Sequence, residues 1–287
     1  MADFLVNVMT TLKQILSDRR IWLYTAIAYI FTWLVWTPLL LNEQLGTDLP
    51  TISYQHFLGA FGPCVGALLT TVITEGLSGL RLFLRRALQL RIGWWLYAFA
   101  IASPLLFFFL AAGVAYAFEG SFVSLSQFGL TDKIDTSSFV LVWLFWIATY
   151  GFGEELGWRG FLLPRIARLT PTATAALFVA QYWALWHLPA FFYQSGIQAE
   201  GFAVVGWYIG LVFGSVVLAW LTRNARWGIV PAMIWHGTFN LVAASDQAEG
   251  LIAGLVSALV ILTAIVLVRI YGRDLLTTRK PLTQPPS

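Results

Sequence analysis

Residues 153–159 read GEELGWR, and this charged segment lies inside an apolar run from about Ser138 to Leu163. A charged side chain at the centre of a bilayer costs ~2.5–3.5 kcal/mol even on the lenient insertion scales. Two adjacent carboxylates in such a run therefore indicate a functional site. On a helix, Glu155 and Arg159 are four residues apart with the acid first, which favours an ion pair. Glu154 lies about 100° away around the helix axis, without that partner, so we expect it to face a site.

The composition of the chain is that of a polytopic membrane protein. Of its 287 residues, 59% are apolar and 11% are charged, whereas average globular proteins have about 25% charged residues. Fourteen Trp and 22 Phe supply the aromatic residues that collect at bilayer interfaces. A large soluble core is therefore excluded. A single cysteine, Cys64, excludes an internal disulfide and a cysteine-based metal site.

Hydropathy predicts an all-α bundle of about eight transmembrane helices. The predicted spans are residues 21–41, 55–74, 93–118, 138–163, 171–193, 202–221, 227–244 and 250–268. An interfacial helix is expected at residues 1–20, an amphipathic stretch at 75–91 and the longest loop at 119–137. Residues 1–272 are expected to form one transmembrane domain, followed by a polar C-terminal tail at 273–287.

The basic residues predict the orientation of the bundle. Eight spans place both termini on one side, and the positive-inside rule makes that side the cytoplasm. Only Lys133 falls on the other side, and Arg159 lies within the fourth span near its cytoplasmic end. The predicted cytoplasmic segments contain the remaining fifteen of the seventeen basic residues: Lys13, Arg19, Arg20, Arg81, Arg85, Arg86, Arg91, Arg165, Arg168, Arg223, Arg226, Arg269, Arg273, Arg279 and Lys280.

Small residues recur at a spacing of four in three of the predicted helices, which favours close approach of helix backbones in lipid. We therefore expect tight packing at three sets of glycines: Gly62 and Gly66; Gly153 and Gly157; and Gly206, Gly210 and Gly214.

Two further spans carry polar clusters inside the predicted membrane. His187 follows Trp183 by four residues in the fifth span, and Asn240 follows His236 by four in the seventh. This spacing places the two members of each cluster on one helix face. The third histidine, His56, lies near the outer end of the second span and is expected to be an interfacial residue.

These clusters can support hydrolysis. A carboxylate and a neutral imidazole that converge on one point can hold and deprotonate a water molecule, and a second imidazole and an amide can donate to an oxyanion. Glu154, His187 and His236 with one open position would also match a zinc ligand set, because His₂Glu is a known catalytic set. The alternative is that these side chains only join helices by hydrogen bonds worth ~0.6–2 kcal/mol each.

The three clusters resemble the motifs of the CPBP family, the CAAX proteases and bacteriocin-processing enzymes, also called Abi or type II CAAX prenyl endopeptidases. The family pattern is Glu-Glu-x-x-x-Arg, then Phe-x-x-x-His, then His-x-x-x-Asn or a similar residue. Residues 154–159 match the first element, and residues 236–240 match the third. Residues 183–187 match the second with Trp183 where Phe is usual. The resemblance covers about residues 139–242, which we expect to be the catalytic core.

The resemblance implies an intramembrane endopeptidase. Glu154 with His187 would activate the water, while His236 and Asn240 would stabilise the oxyanion or help to hold the water. The supporting residues would be Glu155, Arg159 and Trp183. The resemblance leaves open whether a divalent metal such as zinc, bound by Glu154, His187 and His236, takes part.

The expected partners are the lipid bilayer and a membrane-embedded or lipidated peptide or protein substrate, and no nucleic acid. Glu154 is about 14 Å from the cytoplasmic end of its span, so we expect the site to be a polar cavity open to the cytoplasm. Short termini without a targeting segment lead us to expect a bacterial plasma membrane. Two other interpretations use the same residues: a transporter or a proton or ion relay, and a non-catalytic membrane scaffold.

Overall fold

The structure, a computed structural model, describes residues 13–15, 17–120, 122–194 and 203–277. Every regular element within these ranges is helical, which confirms the predicted all-α class. Most of the predicted interfacial helix at residues 1–20 and of the predicted tail at residues 273–287 lies outside the described residues. The division into one domain and a tail stays a prediction.

The helices follow the predicted order along the chain. They are α1 (Arg19–Leu45), α2 (Gln55–Gly59), α3 (Gly62–Ala87), α4 (Trp94–Glu119), α5 (Phe139–Trp146), α6 (Leu163–Ile166), α7 (Thr172–Trp186), α8 (Ala203–Asn224), α9 (Val230–Ala243), α10 (Gly250–Ile270) and α11 (Gly272–Leu275). Two π-helical stretches, Ile147–Glu154 and Leu156–Leu162, join α5 to α6, and short 3₁₀ helices occupy Leu125–Gln127 and Leu188–Phe192.

Six helices of the described chain are long and apolar enough to cross a membrane. They are Arg19–Leu45, Gln55–Ala87, Trp94–Glu119, Phe139–Ile166, Val204–Asn224 and Gly250–Ile270. Six such helices make the chain an integral membrane protein of the polytopic bundle class. They coincide with six of the eight predicted spans.

The fifth and seventh predicted spans are shorter helices. Helix α7 has 15 residues and α9 has 14, fewer than the ~20 that a spanning helix needs. The predicted fifth span ends early, because the chain leaves α7 at Trp186 and turns through a 3₁₀ helix at Leu188–Phe192. Irregular backbone at membrane depth is tolerated where protein surrounds it or where it lines a cavity.

The second predicted span and the amphipathic stretch after it form one element with a break. Gly76 has φ +67° and ψ −172° inside α3, a conformation that glycine adopts without a steric penalty. The break falls at the predicted boundary between residues 74 and 75, so the chain changes direction where its sequence changes from apolar to amphipathic.

One end of the bundle, here called the basic face, gathers the Arg-bearing helix ends. Arg165 Nη2 lies 3.0 Å from Glu75 Oε1, which joins the end of the α5–α6 segment to α3. The backbone amide of Ile229 donates to Ala87 O at 2.8 Å, which joins the start of α9 to the end of α3.

The other end of the bundle, here called the opposite face, holds the longest loop and the segment after α7. The Asp246 amide donates to Leu130 O at 3.1 Å, and Gln44 Nε2 donates to Phe192 O at 2.5 Å. The chain therefore alternates between two faces as the basic residues predict. Which face meets the cytoplasm stays a prediction.

Close backbone contacts surround two of the predicted glycine sets. A Cβ atom built on Gly157 would lie 2.5 Å from Pro63 O, and one built on Gly66 would lie 2.9 Å from Tyr24 O. Helix α3 therefore packs through its glycines onto α1 and meets the glycines of the π-helical segment.

The prediction of close packing is wrong for the third glycine set. A Cβ atom built on Gly206, Gly210 or Gly214 would meet no atom of the described residues within 4 Å. These three glycines of α8 instead line a cavity.

We expect Gly157→Ala to lower the free energy of unfolding by ~1–3 kcal/mol, because the added methyl overlaps the backbone of Pro63. The matched control is Gly113→Ala in α4, where a Cβ has open space and alanine is the better helix former. Unfolding of both variants in mixed detergent micelles measures the difference. Equal stability of the two variants would contradict the close contact.

Candidate active site

The two glutamates lie where two π-helical stretches meet. The stretch Ile147–Glu154 ends at Glu154, and the stretch Leu156–Leu162 begins after Glu155. Such turns are rare and occur frequently at functional sites. Backbone approaches this segment from two sides, because Cβ atoms on Gly153 and Gly151 would lie 2.8 Å from Ala60 O and 2.7 Å from Met233 O.

A buried ion pair joins Glu155 to Arg159, as the spacing predicts. Arg159 Nη1 lies 2.9 Å from Glu155 Oε1, and neither side chain is exposed. The Arg159 guanidinium also lies 4.4 Å from the centroid of the Trp183 ring, a cation–π geometry. Removing either charge would leave the other buried and unpaired, which is strongly destabilising.

Glu155 also holds His236, a contact that the sequence did not reveal. His236 Nδ1 lies 2.8 Å from the same Oε1 atom that Arg159 contacts. A carboxylate only accepts hydrogen bonds, so His236 Nδ1 carries the ring hydrogen. This fixes the ring and leaves Nε2 for other partners. The spacing in the sequence predicts only the ion pair of Glu155 with Arg159.

Glu154 is bound by Trp183. Trp183 Nε1 donates to Glu154 Oε2 at 2.5 Å, and Glu154 is only 2% exposed. The Trp183 ring centroid lies 5.4 Å from that of His236 and 6.0 Å from that of His187. The side chain of Phe, the usual residue of the motif, has no hydrogen-bond donor. The Trp at this position therefore adds a hydrogen bond to the carboxylate.

His187 caps the end of α7. Its Nδ1 lies 2.8 Å from Trp183 O, and a carbonyl oxygen only accepts, so Nδ1 is the donor. In the neutral ring, Nε2 is then an acceptor. The early end of α7 places His187 where the chain turns into the 3₁₀ helix, inside the bundle.

One cavity brings the four predicted catalytic residues together. It has a volume of about 320 Å³, and Glu154, His187, His236 and Asn240 all line it. Asn240 Nδ2 is buried without a hydrogen-bond partner among the described residues. An amide donor left free beside a carboxylate and two imidazoles suits an oxyanion.

His56, for which the sequence predicts an interfacial position, also lines this cavity. It is half-buried. Its Nδ1 lies 2.7 Å from Tyr193 Oη and its Nε2 lies 3.0 Å from Tyr150 Oη. His56 belongs to no motif and sits on a five-residue helix, so only the contact with Tyr150 and Tyr193 identifies it.

The residues present do not fit a metal site. Among the described residues, no group of three or more His, Cys, Asp or Glu side chains is arranged to hold a metal ion. Glu154, His187 and His236 therefore do not form the zinc ligand set considered from the sequence. Both histidines use Nδ1 on protein acceptors, which leaves each Nε2 free, and Glu154 accepts from an indole.

The cavity reaches the opposite face of the bundle. Lys133 of the longest loop and Gln194 of the segment after α7 contribute to its lining. On the basic-face side of Glu154, the chain from residue 155 to 164 is buried throughout. This arrangement disagrees with the expectation of a cavity open to the side of the basic residues.

A double-mutant cycle tests the central ion pair. We expect Arg159→Met to lower the free energy of unfolding by ~3–5 kcal/mol, because Glu155 is left buried without its cation. Adding Glu155→Gln should recover part of that loss. The surface pair Arg165–Glu75, in which Glu75 is 36% exposed, is the control, with an expected effect of ~0–1 kcal/mol for Glu75→Gln. Additive losses at Glu155 and Arg159 would disprove the coupling.

Comparison with known proteins relates the site to a family. Residues 136–242 match the sequence model described as type II CAAX prenyl endopeptidase, Rce1-like. The chain is also 28% identical over 123 residues to a protein of Methanococcus maripaludis named CAAX prenyl protease 2. That match covers 41% of this chain and 45% of the relative, so the chain spans less than half of the relative's length.

The matched segment contains all three motifs, both π-helical stretches and the four cavity residues that the sequence singled out. Residues 136–242 therefore match the type II CAAX prenyl endopeptidase model, Rce1-like, which agrees with the resemblance that the motifs predicted.

Proposed function

We propose that the protein is an intramembrane endopeptidase that hydrolyses a peptide bond of a membrane-associated substrate. The observation that carries this proposal is that Glu154, His187, His236 and Asn240 line one cavity within the segment matched to the family. A carboxylate, two imidazoles and an unpaired amide donor are the groups that hydrolysis of an acyl bond needs.

In the proposed mechanism, Glu154 removes a proton from the attacking water. Trp183 occupies Glu154 Oε2, so Oε1 is the oxygen left for the water. His187 Nε2, an acceptor in the neutral ring, holds the second hydrogen of the water. The water oxygen attacks the peptide carbonyl, Asn240 Nδ2 donates to the resulting oxyanion, and Glu154 passes its proton to the departing amine nitrogen.

The remaining motif residues act as positioning residues. Glu155 fixes the His236 ring through Nδ1, so that Nε2, an acceptor in the neutral ring, is the nitrogen available to the water. Arg159 neutralises Glu155 and packs on Trp183, which in turn holds Glu154. No step requires a metal ion, because the side chains that line the cavity do not form a metal-binding group.

The substrate class is proposed from the family and the relative. The family description and the relative's name both refer to prenyl substrates. We therefore propose a lipidated or membrane-embedded peptide, with a prenylated chain as one candidate. A transporter has less support, because residues 155–164 are buried on one side of Glu154, where a path across the membrane would continue. A bacterial plasma membrane stays a prediction.

We expect Glu154→Gln to reduce cleavage of a membrane peptide library by ~10²–10⁴-fold, the usual effect of losing a general base. The fold should persist, because the amide oxygen of Gln can still accept from Trp183. The control is Glu119→Gln, the same chemical change at an exposed site on α4, with activity unchanged. Purified protein should also keep its activity in a metal chelator.

Full activity of Glu154→Gln would refute the proposed mechanism. Loss of activity in the chelator, with recovery on adding zinc, would indicate that a metal ion activates the water, and not Glu154 and His187 alone.

We propose further that the cavity is entered from the extracytoplasmic side. The basic face is the cytoplasmic one by the positive-inside rule, and the cavity lining extends to the opposite face through Lys133 and Gln194. This replaces the cytoplasmic opening expected from the sequence.

Cysteine labelling in intact cells tests this orientation. Cys64, the only cysteine of the chain, is buried and is first replaced by alanine. We expect a membrane-impermeant maleimide to label Asp132→Cys on the loop and Gly210→Cys in the cavity. Arg168→Cys on the basic face should react only after permeabilisation. Labelling of Gly210→Cys together with Arg168→Cys, and not with Asp132→Cys, would place the opening in the cytoplasm.

A further inference from the structure

Two charged residues of opposite sign stand out in the cavity lining. Among the described residues that line it, Glu154 is the only acid and Lys133 is the only Lys or Arg. The proposed mechanism uses Glu154 and leaves Lys133 without a role. Lys133 is also the one basic residue that the sequence placed outside both the predicted cytoplasmic segments and the fourth span.

We infer that Lys133 and the Tyr150 hydroxyl form a subsite that binds a carboxylate of the substrate. This inference rests on the proposed endopeptidase function and adds the chemical class of a group that the substrate presents. It also identifies Lys133 as a specificity-determining residue outside the three motifs.

The loop around Lys133 is fixed at several points. The Asp132 amide donates to Asp246 Oδ1 at 3.2 Å, and the Asp135 amide donates to Tyr54 Oη at 3.2 Å. Ile134 is 7% exposed and packs in a small core cluster with Trp146 and Leu241. These anchors hold the backbone on both sides of Lys133, so the position of the lysine at the cavity is a property of the fold.

The acidic and basic side chains of this loop differ in their exposure. Asp132 and Asp135 are exposed, whereas Lys133 between them is half-buried and lines the cavity. No carboxylate of the described residues lies within 4.0 Å of a Lys133 nitrogen, and this includes Glu154. Partial burial of an ammonium group without a counterion is unfavourable, so an anion that enters the cavity gains by pairing with it.

His56 makes a second donor available in the cavity that Lys133 also lines. It contacts one tyrosine hydroxyl with each ring nitrogen. In a neutral ring, one nitrogen donates and the other accepts. When Nε2 carries the hydrogen, His56 donates to Tyr150, and Tyr193 donates its own hydrogen to Nδ1. The O–H of Tyr150, a residue that lines the cavity, is then free to donate to a ligand.

An ammonium group and a hydroxyl donor together suit a carboxylate, because hydrogen bonds to an ionised acceptor are the strong ones. Two sources can supply this group: the free C-terminus of a peptide, or the side chain of an acidic residue near the scissile bond.

The volume of about 320 Å³ lies at the low end of the ~300–1,000 Å³ range of ligand pockets. The cavity therefore admits a few residues of an extended chain and no folded domain.

Binding experiments separate the subsite from the chemistry. The full chain with Glu154→Gln is titrated with a fluorescent apolar hexapeptide in detergent micelles, and binding is followed by anisotropy. Three probes share one sequence: one has a free terminal carboxylate, one has a terminal amide, and one has the amide and a penultimate glutamate. We expect at least one carboxylate probe to bind about tenfold more tightly than the plain amide.

Variants assign the preference to Lys133. Adding Lys133→Gln should remove the tenfold difference, and Lys133→Arg should keep most of it. Tyr150→Phe should reduce the difference by a smaller factor. Lys13→Gln, the same change at an exposed site before α1 and outside the cavity lining, should leave the difference intact.

Equal binding of the three probes, a preference that survives Lys133→Gln, or no binding of any probe would overturn the inference. Cleavage by the chain with Glu154 intact is measured separately on the same probes. Carboxylate-selective binding without cleavage would refute the proposed endopeptidase and leave the subsite standing. Cleavage without carboxylate-selective binding would refute the subsite and leave the proposed endopeptidase standing.

Discussion

The structure of the site depends on one buried ion pair. Arg159 and Glu155 lie at full burial, and each carries a second contact: Glu155 holds His236, and Arg159 packs on Trp183. Trp183 in turn binds Glu154. A charge pair away from water adds little net stability when compared with apolar residues. Its value here is geometric, because two contacts of the cavity wall start from it and a third follows through Trp183.

The two short helices explain how the remaining groups reach that pair. Helix α7 ends at Trp186, so His187 is a capping residue inside the bundle, and α9 carries His236 near its middle. Helices of full span would have carried the chain past this level. The long helices around them supply the apolar surface towards lipid. Helices α7 and α9 therefore do not need to span the membrane, and their lengths can fit the site.

Much of this arrangement could be predicted from the sequence, because it follows from local spacing. The Glu155–Arg159 pair is an i,i+4 relation, and the helix positions follow from hydropathy. What could not be predicted depends on contacts between distant segments. Glu155 meets His236 across 81 residues, and His56 meets Tyr193 across 137. The expected side of the cavity was based on the depth of Glu154 along its own helix, which takes no account of Lys133 and Gln194 in the cavity lining.

The glycines of α8 give the cavity one wall without side chains. Gly206, Gly210 and Gly214 leave room there, because a Cβ built on any of them would meet no atom of the described residues within 4 Å. A methyl or larger group at any of the three would subtract volume from the cavity and leave Glu154, His187 and His236 in place. Under the proposed function, substrate size and hydrolysis would therefore be set by separate helices, so that one could diverge during evolution while the other stays constant.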